Sequence, residues 1–175
     1  MKTKELVLLA LLIAMGTVLH LVIPGIGGGM KPDMLLVMMF LGIILFPKAK
    51  YVLLVGIASG IMSALTTNMP GGQLPNIIDK FLTAFIFFGL FMAIKKLSTS
   101  IVPVAVLTAV GTFVSGMIFL GTALFIVELP NTFLALTVGI VLPTVALNTI
   151  VMVIIYPIAM KLTQRLQVKT NHVNI

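Results

Sequence analysis

The chain has 175 residues, is 60% hydrophobic and only 9% charged, and carries a formal net charge of +7. A soluble domain is about a quarter charged, so most of this surface must face lipid, and no polar stretch is long enough to fold as a second domain. There is no cysteine, which excludes disulfides, thiol redox chemistry and thiolate metal sites, and the two histidines, His20 and His172, lie too far apart to suggest a metal centre.

In chain order, Met1 to Glu5 is polar and Leu6 to Ile23 is apolar except for Thr17 and His20. That run approaches the roughly 20 residues that cross a bilayer as a helix. It exceeds a signal-peptide core and no A-x-A site follows, so it is expected to stay in the mature protein. Pro24 to Asp33 (PGIGGGMKPD) is a turn-forming loop that lacks the Lys-Ser/Thr ending of a nucleotide-binding P-loop. Met34 to Phe46 is a short apolar run, which must recruit flanking residues, tilt, or sit where the bilayer is thin. Tyr51 to Leu65 carries Gly56, Ala58, Ser59, Gly60, Ser63 and Ala64, small residues that let helices approach closely in lipid.

Thr66 to Lys80 (TTNMPGGQLPNIIDK) is the densest cluster of hydrogen-bonding groups in the chain. Apolar runs follow over Phe81 to Ile94, Ile101 to Val127 and Thr132 to Met160, and Pro143 should kink or locally open the last. The expected fold is an all-α integral membrane protein: one membrane domain over 1–175, a bundle of six transmembrane helices near 5–23, 33–46, 50–66, 76–95, 101–127 and 132–162. The runs do not alternate as barrel strands do.

Charge orients the bundle. With a cytoplasmic amino terminus, and hence both termini inside, the inner segments hold Lys2, Lys4, Lys48, Lys50, Lys95, Lys96, Lys161, Arg165 and Lys169, nine of the eleven cations. Only Lys31 and Lys80 fall outside, as the positive-inside rule requires. The basic balance is thus a topology signal and gives no support for nucleic-acid binding.

Both polar loops then face outward, with Asn68, Gln73, Asn76, Asp79 and Lys80 toward that side and Asn148 in the outer half of the sixth helix. Polar groups at membrane depth need a partner or a cavity, so these residues, with Lys31 and Asp33, are the candidate lining of an outward-open small-molecule pocket. Lys31 or Lys80 would pair with a ligand carboxylate, and Asp33 or Asp79 with a ligand ammonium. Structural roles compete. Asp33 after Pro32 suits a helix N-cap. Asn76 with Asp79 three residues on resembles a capping box. Asp79 and Lys80 are sequence neighbours that should not face each other, and Lys80 could snorkel to the interface. His20 reads as an interfacial polar residue.

The pattern Ala10-Leu-Leu-Ile-Ala14 is similar to the A-x-x-x-A of the first helix in the substrate-binding S components of energy-coupling-factor (ECF) transporters. GGMKPDMLLVMMFLGIILFP at 28–47, SALTTNMPGGQLPNIIDK at 63–80 and VLPTVALNTIVMVIIYP at 141–157 resemble the bacterial tryptophan transporter family, TrpP, over nearly the whole chain. The resemblance implies tryptophan capture at the bacterial cell membrane, with uptake powered by two partner ATPases through a coupling membrane subunit. It also implies that Ala10 and Ala14 pack on that subunit. A zwitterion needs one anion-binding and one cation-binding group, and its indole needs an apolar slot with an acceptor, which Asn148 or Gln73 could offer. The polarity alone would equally suit another amino acid or a vitamin.

No catalytic motif, cofactor site or ATPase motif is present, so the chain reads as a transport subunit and not an enzyme. The other classes are a small membrane enzyme, whose only inner-side acid would be Glu5, and a ligand-free structural subunit, which would not need so many outer polar groups.

Overall fold

The computed structural model describes the backbone of residues 3–23, 32–95, 100–127 and 132–171, and side chains up to residue 163. Within these limits the chain is all helical: α1 (Thr3–Val22), α2 (Met34–Leu45), α3 (Ala49–Leu65), α4 (Gln73–Ile94), α5 (Ile101–Ile126), α6 (Phe133–Leu136), a π-helical segment (Thr137–Val141) and α7 (Leu142–Asn171). No strand occurs among the described residues. Four stretches are long and apolar enough to cross a membrane: Thr3–Val22, Gln73–Ile94, Ile101–Ile126 and Phe133–Thr163.

The short second run has a specific place. Every residue of α2 from Met34 to Ile44 is buried. A helix that is apolar on all sides belongs inside a protein, and α2 packs against α1, α3, α4, α5 and α7. At about 1.5 Å per residue it spans only ~18 Å against a hydrocarbon core of about 30 Å. Because its neighbours cover it laterally, it need not match the bilayer itself. Its ring of contacts includes the stacked pair Phe40–Phe87, centroids 3.8 Å apart. Gly111 of α5 lies against both rings, and a Cβ there would come within 2.8 Å of Phe87.

The small residues of α3 draw α4 inward. A Cβ on Gly56 would meet Ala84 Cβ at 3.0 Å, and one on Gly60 would meet Ile77 Cα at 3.2 Å. Close approach through small residues is how helices associate in lipid. It turns the face Asn76, Asp79, Lys80, Thr83, Ala84, Phe87 and Phe91 of α4 into the interior. These positions follow the i, i+3, i+4, i+7 rhythm of a buried helical stripe.

The helix opening expected near Pro143 takes the form of the π-helical segment. Leu142 N–H bonds back to Thr137 O, five residues away. Pro143 has no N–H for an ordinary α-helical bond, so the widened turn just before it accommodates the break.

The two ends of the bundle differ. At one, Lys48 Nζ lies 3.2 Å from Glu5 and Tyr51 OH donates to the same carboxylate, tying the start of α1 to the start of α3. At the other, the end of α1, the start of α2, the end of α3 and the start of α4 surround a cavity.

Candidate functional site

The cavity has a volume of about 390 Å³, within the roughly 300–1,000 Å³ of small-molecule sites. One wall is charged and polar, with His20, Asp33, Asn76, Asp79 and Lys80; the facing wall is apolar, with Phe119, Leu120, Leu136, Ile140 and Val141. The apolar wall comes from α5, the end of α6 and the π-helical segment.

Lys80 organises the charged wall. Its Nζ lies 2.7 Å from Asp33 Oδ2 and 2.8 Å from Asp79 Oδ2. Asp79 is fully buried and satisfied: Thr83 Oγ1 donates to Oδ1 at 2.9 Å and Ser115 Oγ donates to Oδ2 at 2.9 Å. Asp33 caps α2, its Oδ1 accepting from Leu36 N–H at 3.0 Å. Asn148 Oδ1 accepts from Asp33 N–H at 2.8 Å, and Asn148 Nδ2 donates to Thr112 Oγ1 at 3.3 Å. His20 Nδ1 stands 3.9 Å from Asp33 Oδ1. One chain of contacts therefore links α1, α2, α4, α5 and α7.

Asp33 precedes the first residue of α2. Burial pushes its carboxyl up, but the Lys80 ammonium, then His20, and hydrogen bonds from Lys80 and Leu36 N–H outweigh this and hold it below the usual carboxylate value.

The structure brings most of the candidate residues together. Asp33, Asn68, Asn76, Asp79 and Lys80 line the cavity. Asn148 stands behind it, fully buried, orienting Asp33 through the backbone instead of facing the cavity. Gln73 is exposed at the first turn of α4 and does not line it. Lys31 lies outside the described residues. Ala10 and Ala14 are exposed on one face of α1.

Three local readings are corrected. Asn76 and Asp79 do not form a capping box: α4 begins at Gln73, Asn76 Nδ2 donates to Gly72 O, and its Oδ1 accepts from Ser63 Oγ. Asp79 and Lys80 do meet, because the flexible lysine stem folds back inside a stripe wide enough to hold both. Lys80 does not snorkel; it is 2% exposed. Sequence reasoning also undervalued His20, which is buried on the cavity wall. Its signal was a titratable group inside an apolar run. The roles of Ser115 and Thr112 had no such signal, since hydroxyls are common in membrane helices.

The family model described as "Tryptophan transporter TrpP" matches residues 2–164. The chain belongs to the TrpP family. Among its relatives, a Bacillus subtilis (strain 168) protein is 56% identical over 165 residues, covering 94% of this chain and 95% of that one. A Clostridium perfringens protein is 42% identical over 173 residues, covering 93% and 94%. Both carry the name "Probable tryptophan transport protein". No solved structure matches the chain significantly. The TrpP membership and the long apolar helices make this a multi-pass bacterial membrane protein.

The bridge makes a specific energetic prediction. Lys80→Met leaves two carboxylates without their cation, and breaking a buried ion pair from one side costs about 3–5 kcal/mol. Thermal unfolding in detergent should show that loss, and adding Asp79→Asn to Lys80→Met should recover part of it. Equal stability of Lys80→Met and the unmodified chain would contradict the bridge.

Proposed function

We propose that the chain is the substrate-binding S component of an ECF-type importer and captures tryptophan from the outer side of the membrane. The observation that carries the reading is a cavity with a charged wall and an apolar wall, in a member of a family named for tryptophan transport. The apolar wall would take the indole and the charged wall the zwitterionic head, with Asp33 or Asp79 as candidate partners of the ammonium and Lys80 or Lys31 of the carboxylate.

In this reading all six rods cross the membrane and both termini are cytoplasmic. Lys4, Lys48, Lys50 and Lys95 lie at the helix ends opposite the cavity, and Lys161 lies in the half of α7 away from it, which suits a cytoplasmic face. The cavity then opens outward. Relatives named for transport point away from an enzyme. Because no ATPase motif accompanies the site, ATP-driven uptake would fall to two partner ATPases and a coupling membrane subunit. Ala10 and Ala14, exposed on α1, would form the contact strip for that subunit, with the rest of the outer surface against lipid.

The chain contains no tryptophan, so indole fluorescence excited at the red edge reports ligand alone. Folded protein should give a saturable signal with tryptophan; no saturation would remove the substrate. Partner docking is tested separately. Ala10→Phe with Ala14→Phe should leave tryptophan binding unchanged while abolishing uptake in cells that hold the coupling subunit and its ATPases. Undiminished uptake would sink the ECF arrangement.

A further inference from the structure

The charged groups that face the cavity are already engaged with one another. Among the described residues, Asp33 and Asp79 contribute two carboxylates and Lys80 one ammonium. Neighbours such as Ser63, Ser115 and Thr144 are uncharged.

The three groups also differ in what they can still offer. Lys80 is already within 2.8 Å of two carboxylates, and its side chain is only 3% exposed. A ligand carboxylate placed on it would be a third anion around one cation. Asp79 is enclosed and accepts from Lys80, Thr83 and Ser115. Asp33 is the open member: its side chain is 19% exposed. A carboxylate has about four acceptor sites, and among the described residues Asp33 meets only Leu36 N–H, Lys80 and the more distant His20. The positive end of the α2 dipole is met by Asp33 itself, which takes the Leu36 N–H. It therefore gives a ligand anion little additional attraction.

We propose that the cavity selects its ligand by the ammonium group, received by Asp33, and that Lys80 is a positioning residue which holds Asp33 and Asp79 instead of binding the ligand carboxylate. The ligand class is an arylalkylamine, of which an aromatic α-amino acid is one member. This rests on the reading of the cavity as the tryptophan site. An incoming ammonium meets Asp33 on its open side, and the ligand carboxylate points toward the mouth.

The test is a ligand series on the unmodified chain at about pH 8, read by ligand indole fluorescence: tryptophan, tryptamine, which lacks the carboxylate, and indole-3-propionate, which lacks the ammonium. Tryptamine should bind within about tenfold of tryptophan, and indole-3-propionate at least about thirtyfold more weakly, the scale of losing a buried charge partner. Asp33→Asn should weaken tryptamine by a similar factor; if that variant does not fold, the ligand series decides alone. Tryptophan binding without tryptamine binding, or indole-3-propionate binding as tightly as tryptophan, overturns the proposal and leaves the tryptophan reading standing. Tryptamine binding without tryptophan overturns the tryptophan reading and leaves ammonium selection standing. Binding of none of the three overturns both.

Discussion

A single lysine ammonium held between two carboxylates fixes the charged end of this bundle. Lys80 comes from α4, Asp79 from the same turn and Asp33 from the cap of α2. Removing three charges from water is costly, and an apolar replacement of similar volume is often no less stable. Stability alone therefore gives little reason for such a cluster. Its position at a cavity of small-molecule size supplies a better one. Several other features of the site support the bridge. Small residues on α3 bring α4 close, Thr83 and Ser115 satisfy Asp79, and Asn148 holds the backbone of Asp33.

The bundle core has a complementary task. The buried α2 is encircled by its neighbours, and the Phe40–Phe87 stack seats it against Gly111. This core places the N-terminus of α2, and so Asp33, at the cavity wall. The π-helical segment before Pro143 contributes Ile140 and Val141 to the opposite wall. Close packing holds this wall together: a Cβ on Gly116 of α5 would lie 2.5 Å from Val141.

The helical character was legible from the chain because lipid leaves the backbone no partner but itself, so continuous apolar runs become helices. Asp33, Asn76, Asp79 and Lys80 stood out for the related reason that polar groups at depth need a partner or a cavity. What could not be read was the pairing. Nothing local to Asp33 says that Lys80 reaches it, because the two are joined only by tertiary packing. Gln73 and Asn148 carried the same polar signal as Asn76, yet one is exposed at a helix start and the other stands behind the wall. Polarity marks a residue as needing a partner, and the fold decides whether that partner is protein, water or ligand. His20 was undervalued because one imidazole in an apolar helix looks interfacial until a carboxylate is placed beside it.

In the proposed reading the bridged cavity opens to the outside of the cell and takes tryptophan. Asn68 lies at that mouth and is exposed, and the chain has no cysteine to compete with a label. The most direct measurement is the labelling rate of Asn68→Cys by a membrane-impermeant maleimide on intact cells, with and without tryptophan. Rapid labelling that tryptophan slows is the result expected. Labelling that appears only after the membrane is permeabilised, or a rate indifferent to tryptophan, would contradict the account.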